Sequence, residues 1–296
     1  MSGGRCADPV ILNEWHAVAA LEELPVGRLQ TALLLGERLV LERGSDGAAR
    51  ARIAATGAQL PVRQRFGYLW TSLGAPTRDL FAIAEPAEPD RRNLHAASIG
   101  VAVSAPRAIE NFLDLSHFPF VHTGYLGDEP MTEVKSYDVR RSADGTELVA
   151  TRCRFFQPRA AANAEGGFEV EYVYRVPHPY CSVLYKINSV DRERMDVIAL
   201  FAQPLGEERI RAHMFLSMLD ETSSDAALRH FQLLIFGQDK PILENQVPKK
   251  LPLATDAELA ARADLTSVVY RRWLAERGVT YGTIPPARGA PSPRAA

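Results

Sequence analysis

The chain of 296 residues is 46% apolar, with 34 Lys plus Arg against 36 Asp plus Glu and a formal net charge of -2. That is enough to bury a core as one large domain or two small ones, and the scattered basic residues argue against nucleic acid as the main partner. No run approaches the ~20 apolar residues of a membrane helix, and Met1–Pro9 lacks an apolar signal core, so a cytoplasmic protein without membrane attachment is expected.

The first ninety residues read as short strands and turns: Leu33–Leu35, Leu39–Glu42, a polar turn at Gly44-Ser45-Asp46-Gly47, then Phe66–Leu73. The first hundred residues hold only Cys6, His16 and His95 as thiol or imidazole groups. No pair of Cys-x-His and Cys-x-x-His motifs is present to bind an iron–sulfur cluster. Cys153 and Cys181 are far apart, suit strand positions, and form no disulfide framework or zinc site with Cys6. The segment Glu85-Pro86-Ala87-Glu88-Pro89-Asp90 reads as a linker, because neither its prolines nor the residues before them continue a helix comfortably.

A strand at Ile99–Val103 precedes a helix after Pro106. Alternation of apolar and polar residues then predicts strands within Thr151–Phe156, Phe168–Val176, Ser182–Asn188, Asp196–Phe201 and Arg209–Leu219, as in an antiparallel sheet with one packed face. Ser223 or Ser224 can cap a helix from about Asp225 to Gln246, and a second helix is expected from near Thr255, with Asp256, Glu258 and Arg262 on its polar side. The fold class is therefore α+β, an antiparallel sheet flanked by helices. Residues 1–90 form a small β module, 91–283 the main domain, and 284–296, with four prolines, a disordered tail. No internal repeat is evident.

The chemistry concentrates in Glu110-Asn111-Phe112-Leu113-Asp114-Leu115-Ser116-His117-Phe118-Pro119-Phe120-Val121-His122. Two imidazoles and one carboxylate on one face of a divalent iron leave positions open for oxygen and substrate. The spacing of His117 and His122 is about 140° around a regular helix, so both reach one ion only if the helix ends or distorts between them, a distortion Pro119 can provide. The best third ligand is Asp239, which follows the apolar run Leu233-Leu234-Ile235-Phe236 and would be costly if buried unpaired. Gly237 beside it would allow close approach of another element. The alternative is an accidental His-x4-His, with Asp239 paired to Lys240 or Arg229 in solvent. His16, His95, His213 and His230 stand alone as surface or core residues, whereas His178, between Pro177 and Pro179, is a possible pocket residue.

These residues, continued by Thr123-Gly124-Tyr125-Leu126-Gly127, closely resemble the mononuclear-iron motif of Rieske-type non-haem iron oxygenase α subunits. Gln238-Asp239-Lys240-Pro241-Ile242-Leu243-Glu244-Asn245-Gln246 resembles the third-ligand helix of the oxidative demethylases. The resemblance extends from roughly Trp15 to Tyr281. It implies a helix-grip-like catalytic domain, a mononuclear Fe(II) held by His117, His122 and Asp239, and Asp114 as a bridge for electrons arriving from a Rieske cluster. In the family the N-terminal module carries that cluster between stretches like Leu35–Arg43 and Phe66–Gly74; here barely twenty residues join them, so the cluster-binding loops are deleted and a β remnant is left.

A cluster-less chain of this kind is similar to the methylxanthine N7-demethylase branch, including Pro177-His178-Pro179-Tyr180 and Leu243-Glu244-Asn245-Gln246. The resemblance implies O2- and NADH-dependent removal of the N7-methyl of 7-methylxanthine, giving xanthine and formaldehyde. NADH and a 2Fe–2S Rieske centre would come from a partner reductase, with a further stabilising subunit possible. Helical periodicity places Phe236, Ile235 and Gln232 on the face of Asp239. Gln232 could pair with a purine carbonyl or ring N–H and Phe236 could pack on the ring; Phe112, Phe118 and His178 complete the candidate substrate contacts. Rival readings are a demethylase or hydroxylase of another aromatic or amine, a non-catalytic scaffold subunit, and a zinc hydrolase, for which Glu110 and Glu244 lack a known spacing. Asp114 could instead simply orient His117.

Overall fold

The computed structural model describes residues 5–164, 166–254 and 256–286. After a one-turn helix α1 (Pro9–Leu12), the chain forms β1 (His16–Ala20), β2 (Leu29–Leu34), β3 (Glu37–Arg43), β4 (Ala49–Ile53), β5 (Val62–Arg65) and β6 (Tyr68–Thr71). These make two antiparallel three-stranded sheets, in the orders β1-β6-β5 and β2-β3-β4. Leu35, expected to close a strand, instead turns the β2–β3 hairpin at φ +53, and its N–H donates to the Pro204 carbonyl at 2.7 Å. That bond ties the N-terminal sheets to the rest of the chain.

The expected linker contains only a single 3-10 turn at Glu85–Ala87. From there run β7 (Arg92–Val101), α2 (Ala105–Leu113), the one-turn α3 (Phe118–Val121), β8 (Asp138–Arg141), β9 (Leu148–Gln157), β10 (Phe168–His178), β11 (Cys181–Ile187), β12 (Met195–Gly206) and β13 (Arg209–Met218). They form one antiparallel sheet in the order β7-β13-β12-β11-β10-β9-β8. The long helix α4 (Asp225–Asn245) lies along β7, with Ser224 capping it by accepting from the Ala227 N–H at 3.1 Å. The chain ends in β14 (Leu251–Pro252), α5 (Leu265–Glu276) and β15 (Thr283–Ile284). The α+β class is as expected, with an antiparallel sheet flanked by helices.

Alternation along the central strands sorts side chains onto two faces. One face, with Val183, Val197, Ala199, Phe201 and Phe215, packs against Trp15, Tyr68 and Trp70 of the N-terminal sheets. The opposite face presents Leu184, Ile198, Leu200, Met214 and Leu216 to a cavity roofed by α2 and α4.

Several expectations need correction. The second helix begins at Leu265: Asp256–Ala261 is irregular because Glu258 turns back to Arg107 and Arg271, and Asp264 accepts the Ala261 N–H at 2.7 Å just before α5; Thr255 lies outside the described residues. Ile284 is not in a disordered tail but pairs in β15, while Ala287–Ala296 lie outside the described residues. A Cβ on Gly237 would meet nothing within 4 Å, so no element closes on that glycine. Among the described residues no helix is long and apolar enough to cross a membrane.

Candidate metal centre

Helix α2 stops at Leu113, and Asp114, in extended conformation, closes it. The break therefore falls before His117, and Pro119 occupies the first turn of a new helix, α3, where its missing N–H costs nothing. His117 and His122 flank that single turn, and the change of direction brings both imidazoles to one point. Gly127 holds the turn in place: a Cβ there would lie 2.6 Å from the Pro119 nitrogen.

Asp239 comes from the middle of α4. Its Oδ1 lies 3.3 Å from His117 Nε2 and 3.2 Å from His122 Nε2, and the two nitrogens are 3.1 Å apart. Ligand atoms bound at right angles at about 2.1 Å from one divalent ion would be about 3 Å apart, so the spacing suits one octahedral face. The outer hydrogen bonds settle which ring nitrogens are free. His117 Nδ1 donates to Asp114 Oδ2 at 3.0 Å, and His122 Nδ1 donates to Gln238 Oε1 at 2.9 Å. Each Nε2 therefore carries a lone pair aimed at the Asp239 carboxylate, as metal-binding histidines do. Acceptors turned on one another repel unless a cation or a proton sits between them. Burial lowers the pKa of His117, but Asp114 and Asp239 outweigh it and carry the group up to about 9; without an ion, a proton on His117 fills that place. Burial likewise favours the neutral acid at Asp239, yet the two imidazoles hold its carboxyl below the usual range.

Asn111 donates to the same Asp239 Oδ1 at 3.3 Å and keeps its own buried Oδ1 without a hydrogen-bond partner. Asp114 also accepts from the Ser116 N–H at 2.9 Å and hydroxyl at 2.7 Å, and these bonds with His117 keep its carboxyl low despite burial. His117, His122 and Asp239 are a group of side chains among the described residues arranged to hold a metal ion.

The three sit in the wall of the cavity under α2 and α4. Phe112, Phe118, Gln232, Ile235 and Phe236, singled out in the sequence, line that cavity, as do Phe231, Tyr172, Tyr174, Lys186 and Asp196. The sequence reading missed the last two, although their positions have the parity of Leu184 and Ile198. His178 does not line it. Its Nδ1 accepts the Tyr180 N–H at 2.9 Å in a buried cluster with His16, and burial, together with the Arg277 charge, pushes its pKa down to about 3. The two prolines around it mark the end of β10 rather than a pocket. On the Asp114 side of His117 a second depression opens, bounded by Asp114, Ile242, Gln246 and Leu259.

Residues 101–279 match the family described as "Vanillate O-demethylase oxygenase C-terminal domain". The chain is 46% identical over 273 residues to the "Probable methylxanthine N7-demethylase NdmC" of Pseudomonas sp. (strain TJI-51), a match covering 92% of this chain and 96% of that protein. Among solved structures, Pseudomonas putida CBB5 NdmA with caffeine superposes with a TM-score of 0.73 at 20% identity, covering 90% of this chain and 91% of that one. Dicamba monooxygenase bound to dicamba gives 0.70 at 16% identity, covering 92% and 98%. The chain belongs to the Rieske-type non-haem iron oxygenases, in their oxidative demethylase branch. It is accordingly an oxidoreductase of a family that works with non-haem iron and a separate reductase.

Proposed function

We propose that this chain is the catalytic subunit of an N-demethylase that removes the N7-methyl of 7-methylxanthine, with NADH electrons delivered by a separate reductase carrying a Rieske 2Fe–2S domain. The observation that carries the reading is the position of Gln232 on the face of α4 that bears Asp239, inside a cavity walled by Phe112, Phe118, Phe231 and Phe236. Among the described residues its amide N–H donates to the Met214 thioether, at 3.7 Å, a weak acceptor. Its hydrogen-bonding capacity is thus largely unspent, next to aromatic walls that suit a flat heterocycle. The substrate named for the 46%-identical relative supports the same class.

His117, His122 and Asp239 would hold Fe(II), which when bound supplies the activation of O2 with two electrons from NADH. The apolar walls orient the methyl group and exclude water. Hydroxylation at carbon turns N–CH3 into N–CH2OH, which breaks its C–N bond to give formaldehyde and N–H; the second oxygen atom leaves as water. No further catalytic acid is required of the protein. Asp114, facing away from the cavity, would link His117 to a Rieske domain docked at the second depression, where Ile242 is 50% exposed and Leu259 fully so.

Iron-loaded protein with a Rieske-domain reductase, NADH and 7-methylxanthine should yield xanthine and formaldehyde in equal amounts. Formaldehyde from other N-methylated or O-methylated aromatics, with none from 7-methylxanthine, would overturn the substrate assignment.

A further inference from the structure

Across the floor of the cavity, β11 and β12 pair Ser182 with Leu200, Leu184 with Ile198 and Lys186 with Asp196. Directly opposed residues share a face, so the last pair continues the row that Leu184, Ile198 and Leu200 begin. Both residues line the cavity, at 5% and 2% exposure, with Met214, Leu216 and Met218 beside them. Burial works against both charges there, pushing the Lys186 amine down to about 7 and the Asp196 carboxyl up, so both groups gain from a polar partner.

Their protein partners leave capacity over. The Lys186 ammonium has three N–H donors, and the bond found for it goes to the Ala160 carbonyl, with the Tyr172 ring 5.5 Å from Nζ. Asp196 accepts one bond on each oxygen, from the Leu219 N–H at 2.8 Å and from Asn188 Nδ2 at 2.9 Å. A carboxylate has about four acceptor sites. The floor therefore offers spare donor capacity on the Lys186 amine and spare acceptor capacity on the Asp196 carboxyl, the complement of an N–H adjacent to a C=O.

We infer that Lys186 and Asp196 form a second recognition point of the cavity, binding a lactam edge of the substrate ring, with Lys186 donating to the carbonyl and Asp196 accepting the ring N–H. The inference rests on the purine-dione reading above and deepens it: the substrate is anchored from the sheet as well as from Gln232 on α4. It also sets specificity, because a ring lacking the lactam leaves the spare donor and acceptor sites of both groups unused in an apolar floor, whereas a lactam fills them.

The test is a cycle of two ligands against two proteins, read by calorimetric binding to iron-loaded chains. The ligands are 7-methylxanthine and 7-methylpurine, which lacks both carbonyls; the proteins are the natural chain and Lys186→Met. The natural chain should prefer 7-methylxanthine, and Lys186→Met should weaken it by about tenfold to a hundredfold while changing 7-methylpurine by less than about threefold. Equal weakening of both ligands would mean a structural lysine and would overturn the inference. Should Lys186→Met fail to fold, the natural chain still decides: equal affinity for the two ligands overturns the inference, and a preference for 7-methylxanthine that Asp196→Asn reduces upholds it. Binding of neither ligand by the natural chain would instead overturn the purine reading itself.

Discussion

Two buried polar clusters lie on either side of the end of α2, and they are built on opposite principles. In one, Arg107 and Arg271 meet Glu110 and Glu258: Arg107 Nη1 lies 2.9 Å from Glu110 and 3.1 Å from Glu258, and Arg271 bonds both carboxylates. Charges balance, and each carboxylate has a donor. In the other, the imidazoles of His117 and His122 face Asp239 after Asp114 and Gln238 have taken the ring N–H groups, and the Asn111 amide at 3.3 Å is the side-chain donor found on Asp239 Oδ1. The first cluster is complete as protein. The second needs a proton on His117 or a metal ion between its groups.

Removing a member should therefore weigh mainly on metal retention in one place and mainly on folding in the other. Asp239→Ala should abolish iron retention and turnover and lower the melting temperature of the metal-free chain only modestly, because a protonated His117 loses one carboxylate but keeps Asp114; iron analysis and calorimetry on one preparation would show it. Glu110→Ala strands parts of two buried guanidinium groups and should cost on the order of 3 kcal/mol in denaturant unfolding, with iron content kept in the folded fraction. A stable Glu110→Ala chain, or an Asp239→Ala chain that unfolds, would erase the contrast.

Gln238→Leu sharpens it further. The change removes the acceptor that fixes the His122 ring, and iron affinity should fall by about tenfold to a hundredfold in a chelator competition, with little change in folding. The smallest effect belongs to the half-exposed edge of the complete cluster. Arg107, with Arg271, holds Glu258 down to about 2 against the effect of burial, below its ordinary 4.5. A depressed carboxylate contributes stability above its unfolded value and loses it as pH falls towards the folded one. The difference in melting temperature between the natural chain and Glu258→Gln should thus be constant above about pH 5 and close between about pH 4.5 and pH 2.

The sequence already singled out His117, His122 and Asp239, which the fold brings to one point, because imidazoles and a carboxylate within apolar stretches have few other uses, and helical period placed Gln232 and Phe236 beside Asp239. It could not say where α2 would break. Pro119 looked like the cause of the turn, whereas the chain leaves the helix at Asp114 and Pro119 starts the next one. Gln238 was hidden by its position: one residue from Asp239 it should face elsewhere, and only its long side chain reaches His122. Lys186 and Asp196 read as ordinary polar residues near strand ends; the pairing of β11 with β12, a long-range fact, reveals that they share the cavity's face. The strand at Asp138–Arg141 was missed because it is short and mostly charged, and it exists as the edge partner of β9. His178 misled for the converse reason, since proline neighbours signal a bend without saying what the bend faces.

The most direct measurement is iron and acid-labile sulfide per chain on anaerobically prepared protein. One iron without sulfide, lost in Asp239→Ala, is what a single mononuclear centre fed from outside requires. Iron accompanied by sulfide would place a cluster in this chain and contradict the dependence on an external Rieske donor, and no iron after reconstitution would contradict the metal centre itself.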